Sequence, residues 1–259
     1  MKKLSSIALV FMIAVLAGCS SSKASTDVQV SEKSNAKKQE QEVVYTNYTD
    51  DLDLSNAETI EGVASWPVDI SDVAKLRDEA SNVFIGTVDS IDGCSTIAAK
   101  KEFNSFPQSY GKITVLKNLK GDTEDTIINF TRSGGSLTIA EYEKYAPAEI
   151  IESDDQNREA MGKGNVDKET TYLTYSYMDD ITLEAGKTYL FFAGYVKTTN
   201  SYIIGGLQYG SRELYQEETK KSVFRTMPDV DTIGVKNNIS GEYESLADLI
   251  EQYFSEKKK

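Results

Sequence analysis

Short runs of β-branched and aromatic residues limit the fold of this chain more than any other feature. They fall at residues 82–91 (NVFIGTVDSI), 110–119 (YGKITVLKNL), 126–132 (TIINFTR), 188–196 (TYLFFAGYV) and 202–209 (YIIGGLQY), each bounded by Gly, Asp, Asn or Lys. Glycines stand inside the first and last runs, and Gly86 within the first reads as a bulge or a sharply coiled corner. No helical pattern alternates with these runs, which argues against a parallel α/β sheet and predicts a mainly β domain built on a small five-stranded antiparallel barrel. Two helices are expected around it. Residues 69–81 offer Asp69 as an N-cap, with Val73, Leu76 and Ala80 at helical spacing. At the other end Leu246, Leu249, Ile250, Tyr253 and Phe254 follow i, i+3, i+4, i+7, i+8 after Ser245, a C-terminal amphipathic helix whose apolar stripe is expected to pack on its own barrel. Residues 226–240 read as a loop with room for one short strand.

The N-terminus carries a different message. Lys2 and Lys3 precede an uncharged apolar run over residues 7–16, and small residues follow, which is the three-part layout of a secretory leader. Ten residues in a helix cover about half of a ~30 Å hydrocarbon core, so this run is too short to span. Leu16-Ala17-Gly18-Cys19 resembles the lipobox of bacterial lipoproteins. The resemblance implies removal of residues 1–18, acylation of Cys19, and attachment to the extracytoplasmic face of the cell membrane through that lipid. With Cys19 acylated, Cys94 is the one remaining thiol and no internal disulfide can form. Residues 19–58 comprise that Cys and a stretch rich in Ser, Lys, Glu, Gln and Asn, poor in large apolar groups. They are expected to form a disordered tether to the β domain of residues 59–259.

Several motifs mark strand ends: Asn82-Val83-Phe84 with Gly86 and Val88, Val115 to Asp122 (VLKNLKGD), the run from Ile127 to Gly134-Gly135, and Gly186 to Phe192 (GKTYLFF). In this order, after a short helix, they resemble the OB-fold barrel of netrin modules and tissue inhibitors of metalloproteinases. The resemblance covers roughly residues 70–210. Poorly described lipoproteins of Gram-positive bacteria are similar too, with Gly-Gly followed by an acidic helix, as Gly134-Gly135 is followed here by Glu141-Tyr142-Glu143-Lys144. An inhibitor of that fold uses a free N-terminal Cys and disulfide-braced edges. Here the Cys would be acylated and lies about fifty residues from the barrel, and cystine partners are lacking, so protease inhibition does not carry over.

Between the third and fourth runs lies a long insertion, residues 137–185, in which Thr138 and Glu141 form a capping-box pattern for a helix ending before Pro147. It concentrates carboxylates and tyrosines. Glu141, Glu143, Tyr172, Tyr175, Tyr177 and Asp179 are the candidate ligand-facing residues, while the plainer expectation is that the tyrosines build a strand. The chain has 41 acidic and 28 basic side chains, a formal charge of −13, and no histidine. That balance disfavours nucleic acid and removes Ser-His-Asp chemistry, Cys-His chemistry and histidine-ligated zinc. Gly186-Lys187-Thr188 lacks the leading glycine of a phosphate loop, since position 181 is Ile, and residues 51–62 lack the glycine and glutamate of a calcium loop. No cofactor, catalytic residue or metal ligand set is therefore assigned. The expectation is a non-enzymatic binding or protein-interaction module whose partner is an envelope protein or cell-wall glycan. The alternative is a carboxylate-based, metal-assisted envelope hydrolase.

Overall fold

The computed structural model describes residues 43–123, 126–164 and 166–255. The leader at 1–18, Cys19 and the tether up to residue 42 lie outside the described residues. From Val43 the chain belongs to one compact unit, so residues 43–58, expected as tether, are part of the domain. They form β1 (Thr46–Asn47), a 3-10 turn (Tyr48–Asp51) and the start of β2 (Glu58–Gly62). Composition misled here because these elements need few apolar residues: both are added in parallel to strands from elsewhere, β1 beside Ser90 and Ile91 and β2 beside residues 173–177.

Helix α1 (Val73–Glu79) begins later than expected. Asp72, not Asp69, accepts from Ala74 N and Lys75 N at 2.9 and 3.3 Å, because Asp69 is engaged by the backbone and hydroxyl of Ser71. Its last carbonyls are capped from a distance by Lys120 Nζ, 2.6 Å from the oxygens of both Arg77 and Ala80, where a cation suits the helix C-terminus. Strands β3 (Asn82–Ser95), β4 (Gln108–Lys120) and β5 (Ile127–Ser133) then form an antiparallel meander. The insertion contains β6 (Gly135–Thr138), α2 (Ile139–Glu143), α3 (Ala148–Ala160) and β7 (Tyr172–Tyr177). Strand β8 (Thr188–Val196) coincides with its predicted run, and β9 (Ser201–Ile204) follows. The final predicted strand stops at Ile204, because Gly206 and Leu207 both adopt positive φ and turn the chain into the short α4 (Leu207–Gly210). Beyond it come β10 (Ser211–Gln216), β11 (Ile233–Lys236), β12 (Tyr243–Ser245) and α5 (Leu246–Tyr253).

The fold is mainly β. In the large sheet the pairings run β3, β4, β5, β9, β8, and β8 pairs in turn with β3; the β5–β9 contact is parallel and the others are antiparallel. β10 to β12 extend the sheet from β8. The smaller sheet has the order β2-β7-β6.

The pattern of the two hottest runs explains the core. β3 from Asn82 to Val88 and β8 from Thr188 to Ala193 are buried on both faces, hence their nearly continuous apolar character. Phe84, Val88, Tyr189 and Phe191 point to one face with Ile113, Phe130 and Ile204. Val83, Ile85, Leu190 and Phe192 point to the other, where Leu76 of α1, Leu214 and Val235 of the added strands, and Leu246 and Leu249 of α5 cover them. Burial of each such side chain contributes ~1.5–3 kcal/mol. Helix α5 docks on its own chain by its expected stripe, with Ser245 as cap and Arg77 Nη1 on Tyr253 O at 2.6 Å. Gly86 sits where β3 shifts register on β4, and a Cβ there would lie 2.5 Å from Ile113 Cγ2. A third cluster, Leu137, Ile139, Tyr142, Leu173 and Tyr175, belongs to the small sheet and α2.

Candidate functional site

The two sheets meet where β5 runs straight into β6 through Gly134 and Gly135. Both glycines have positive φ, and a Cβ on Gly135 would lie 2.9 Å from Cys94 Sγ and 3.1 Å from Tyr48 Oη. The backbone passes this close because Tyr48 is pinned to the junction. Its hydroxyl accepts from Ser136 N at 2.8 Å and donates to Ser136 O at 3.0 Å, occupying both backbone groups of the first inward residue of β6. Asn47 sets the approach, its side chain accepting from Thr49 N while its backbone pairs in β1.

Tyr48 and Ser136 form a wall shared by two cavities. The first, about 420 Å³, is lined by Tyr48, Cys94, Tyr110, Glu141 and Tyr172, with Asp92 and Glu169 at its acidic side. The second, about 270 Å³, is lined by Tyr48, Gly134, Gly135, Tyr175, Leu183 and the ion pair of Arg132 with Asp180. Arg132 also reaches a third cavity of about 350 Å³, bordered by Trp66, Tyr177 and Leu207.

The structure separates the predicted site residues. Glu141 and Tyr172 come together in the first cavity. One oxygen of Glu141 is committed to the capping box, accepting from Thr138 N at 2.9 Å, as the sequence pattern required. Glu143 faces elsewhere: Lys168 Nζ lies 2.9 Å from it and Arg158 Nη1 3.5 Å, a surface ion network that includes Asp155. Tyr175 is buried and stacks on Tyr142 with ring centroids 5.8 Å apart, and Tyr177 stacks on Phe106 at 4.2 Å. Tyr172, Tyr175 and Tyr177 thus build β7, as the plainer expectation had it, while also lining three different cavities. Asp179 is an exposed turn residue at φ 60 and lines none of these cavities.

Its neighbour Asp180 is the carboxylate that the structure brings into the cavity lining and that sequence reasoning did not nominate. Arg132 Nη2 donates to Asp180 Oδ1 at 2.5 Å with both side chains less than a tenth exposed, and Asp180 also accepts from Ile181 N. Arg132 Nε has no hydrogen-bond partner. An arginine at the end of the strand run TIINFTR, in register with the apolar Ile128 and Phe130, was the signal for it. Tyr48 was missed as well; an aromatic inside a polar stretch was its only trace.

The Tyr48 and Tyr110 hydroxyls and the Cys94 thiol keep their protons at physiological pH. Burial pushes the Cys94 thiol up to about 12, and the nearby Glu141 carboxylate acts in the same direction. Burial, and then Cys94, raise Tyr48; burial and then Asp92 raise Tyr110. Chemically the first cavity offers tyrosine faces, hydroxyl donors and acceptors, and carboxylate acceptors. Among the described residues the carboxylates with raised pKa, Asp89 and Asp154, lie on β3 and α3 and line none of these cavities. Among the described residues no group of three or more Cys, Asp or Glu is arranged to hold a metal ion. No protein-family model and no curated protein matches this chain.

Proposed function

We propose that this chain is a lipid-anchored extracytoplasmic binding module that holds a glycan unit of the cell envelope in the cavity walled by Tyr48. The observation that carries the reading is the wall itself: one tyrosine, locked by two backbone hydrogen bonds, divides a preformed pair of cavities lined by tyrosines, hydroxyls and carboxylates. Aromatic faces with a polar rim suit a sugar ring, whose C–H face stacks and whose hydroxyls donate to carboxylates. A volume of about 420 Å³ falls near the lower end of the roughly 300–1,000 Å³ common for small-molecule pockets, room for one or two rings.

The β domain is an OB-type barrel in this reading. Numbered by their order along the chain, β3, β4, β5, β8 and β9 pair in the sequence 1-2-3-5-4-1 with strands 3 and 5 parallel, which supports closure. The anchor rests on Lys2, Lys3, the apolar run and Leu16-Ala17-Gly18-Cys19. No helix among the described residues is long and apolar enough to cross a membrane.

Two experiments test this. Cys19→Ala should abolish metabolic acyl labelling and replace the lipidated membrane form by unprocessed precursor or shed protein; labelling that persists refutes the anchor. Purified wall glycan should co-sediment with the full chain and fail to do so with Tyr172→Ala; equal retention of the variant refutes the site. Release of reducing sugar from the glycan during that incubation would instead favour the hydrolase alternative. A second reading, docking onto an envelope protein, draws on the exposed Val63, Trp66 and Met178 at one end of the β2–β7 pair, and predicts that Trp66→Ala abolishes capture of a single envelope protein.

A further inference from the structure

A cavity of about 400 Å³ opens at the start of β5 and shares no lining residue with the three cavities described above. β5 brings Ile127 and Asn129 to it and ends at Ser133, which lines the cavity beside Gly134, so the two sites stand about 20 Å apart along that strand. Tyr195 of β8, Asn200 of the turn between β8 and β9, and Asp122 after β4 supply the rest of its chemistry. Among the described residues no basic side chain lines it.

The lining is held in place by the fold. Tyr195 is 47 % exposed, yet its ring packs on buried Tyr202 with centroids 5.1 Å apart, and its hydroxyl donates to Asn200 Oδ1 at 2.8 Å. Asn200 turns the chain at φ 48, which asparagine tolerates, and its carbonyl accepts from Asn129 Nδ2 at 3.4 Å. Thr199, one residue earlier, fixes the same turn by donating to Ala99 O at 3.0 Å. These bonds use one half of each amide. Among the described residues Asn200 Nδ2 donates to nothing and Asn129 Oδ1 accepts nothing, and both residues are exposed. A free donor and a free acceptor thus stand side by side on two amides that are themselves bonded to each other.

We propose that this cavity binds an extended peptide segment at a lysine or arginine residue. The donor and acceptor match one peptide unit, whose carbonyl would accept from Asn200 Nδ2 and whose N–H would donate to Asn129 Oδ1. The basic side chain would lay its methylenes over Ile127, 58 % exposed, and the face of Tyr195, and bring its charge to Asp122. A cation suits a lining with a carboxylate and no base, on a chain of formal charge −13. An anion would meet only repulsion there, and a neutral acetamido sugar would answer the two amides but leave the carboxylate without a counter-ion. The volume lies within the roughly 300–1,000 Å³ of small-ligand pockets, room for a peptide unit and one long side chain.

Amide chemical-shift titration of the detergent-solubilised full chain with the blocked tripeptide acetyl-Ala-Lys-Ala-amide tests the assignment. Saturable shifts are expected at Asn129, Tyr195 and Asn200, with about tenfold weaker binding of the norleucine analogue, which keeps the methylenes and lacks the ammonium. Two substitutions at exposed positions separate the contacts. Asn129→Ala should weaken both peptides about tenfold, because the backbone contact is common to them. Asp122→Asn should remove the difference between them and leave the norleucine analogue unchanged. Tyr172→Ala, which tests the cavity at Tyr48, should leave all of these shifts in place, so the two readings fail separately. No shifts at these residues with millimolar lysine peptide overturn the proposal. So does equal binding of the two peptides, binding unchanged by both substitutions, or loss of the shifts in Tyr172→Ala. Equally strong binding of chitotriose at the same residues would also overturn it, in favour of a sugar.

Discussion

Arg132 enters the interior on a strand whose inward residues are otherwise apolar, and it is tolerated there because Asp180 meets it at 2.5 Å. Removing one partner of a buried pair leaves an uncompensated charge, which costs about 3–5 kcal/mol. Asp180→Ala should therefore lower the unfolding free energy by that amount, whereas Asp179→Asn, one residue earlier, exposed and at a positive φ that Asn tolerates, should change it by no more than about 0.5 kcal/mol. Equal effects of the two substitutions would contradict the assignment of Asp180. The thiol at Cys94 gives a prediction in pH. Its ordinary value is 9.0 and the fold holds it at about 12, so between these values the unfolded chain loses a proton that the folded chain keeps. The unfolded state then binds fewer protons, and stability, complete below about pH 9, falls as pH rises through the window. Tyr48 shifts in the same direction, and burial pushes Tyr189 up to about 12. The midpoint measured against pH should decline from about pH 9 upward, and Cys94→Ala should flatten the first part of that decline; a midpoint constant across the window would show the thiol to be solvated.

Among elements, legibility followed packing. β8 was readable to the residue because both of its faces are buried, and α5 because a buried stripe and a capping serine coincide. α3 was not, since it buries no side chain and is held at its surface by Arg158, Asp155 and Lys168 rather than by periodic apolar residues. β1 and β2 were hidden for another reason: they are short, polar, and defined by parallel partners far along the chain. The site divides in the same way. Glu141 and Tyr172 lie in one acidic, tyrosine-rich insertion and could be nominated from sequence, whereas the contact of Tyr48 with Ser136 spans 88 positions. The capping box that starts α2 holds Glu141 at the edge of the cavity. Thr138→Ala should cost about 1 kcal/mol of stability and free the Glu141 carboxylate, detectable as a loss in urea midpoint together with altered ligand affinity. A midpoint unchanged by the substitution would mean that the cap contributes nothing.

At the scale of the whole molecule, the segment from Val43 to Gly62 ties the structure together. β1 joins it to the large sheet, Tyr48 to the junction, and β2 to the small sheet. The stretch that follows the proposed tether therefore forms one wall of the proposed site, which couples anchorage to the geometry of binding. Deleting residues 43–57 should expose Cys94 to alkylation and abolish glycan retention together; loss of neither would show that Tyr48 is dispensable. The most direct test of the central claim is an amide chemical-shift titration of the full chain with wall-glycan oligosaccharides. The predicted result is a saturable set of shifts clustered at Tyr48, Cys94, Ser136 and Tyr172, absent in Tyr48→Ala. Shifts elsewhere, or none at saturating oligosaccharide, would contradict it.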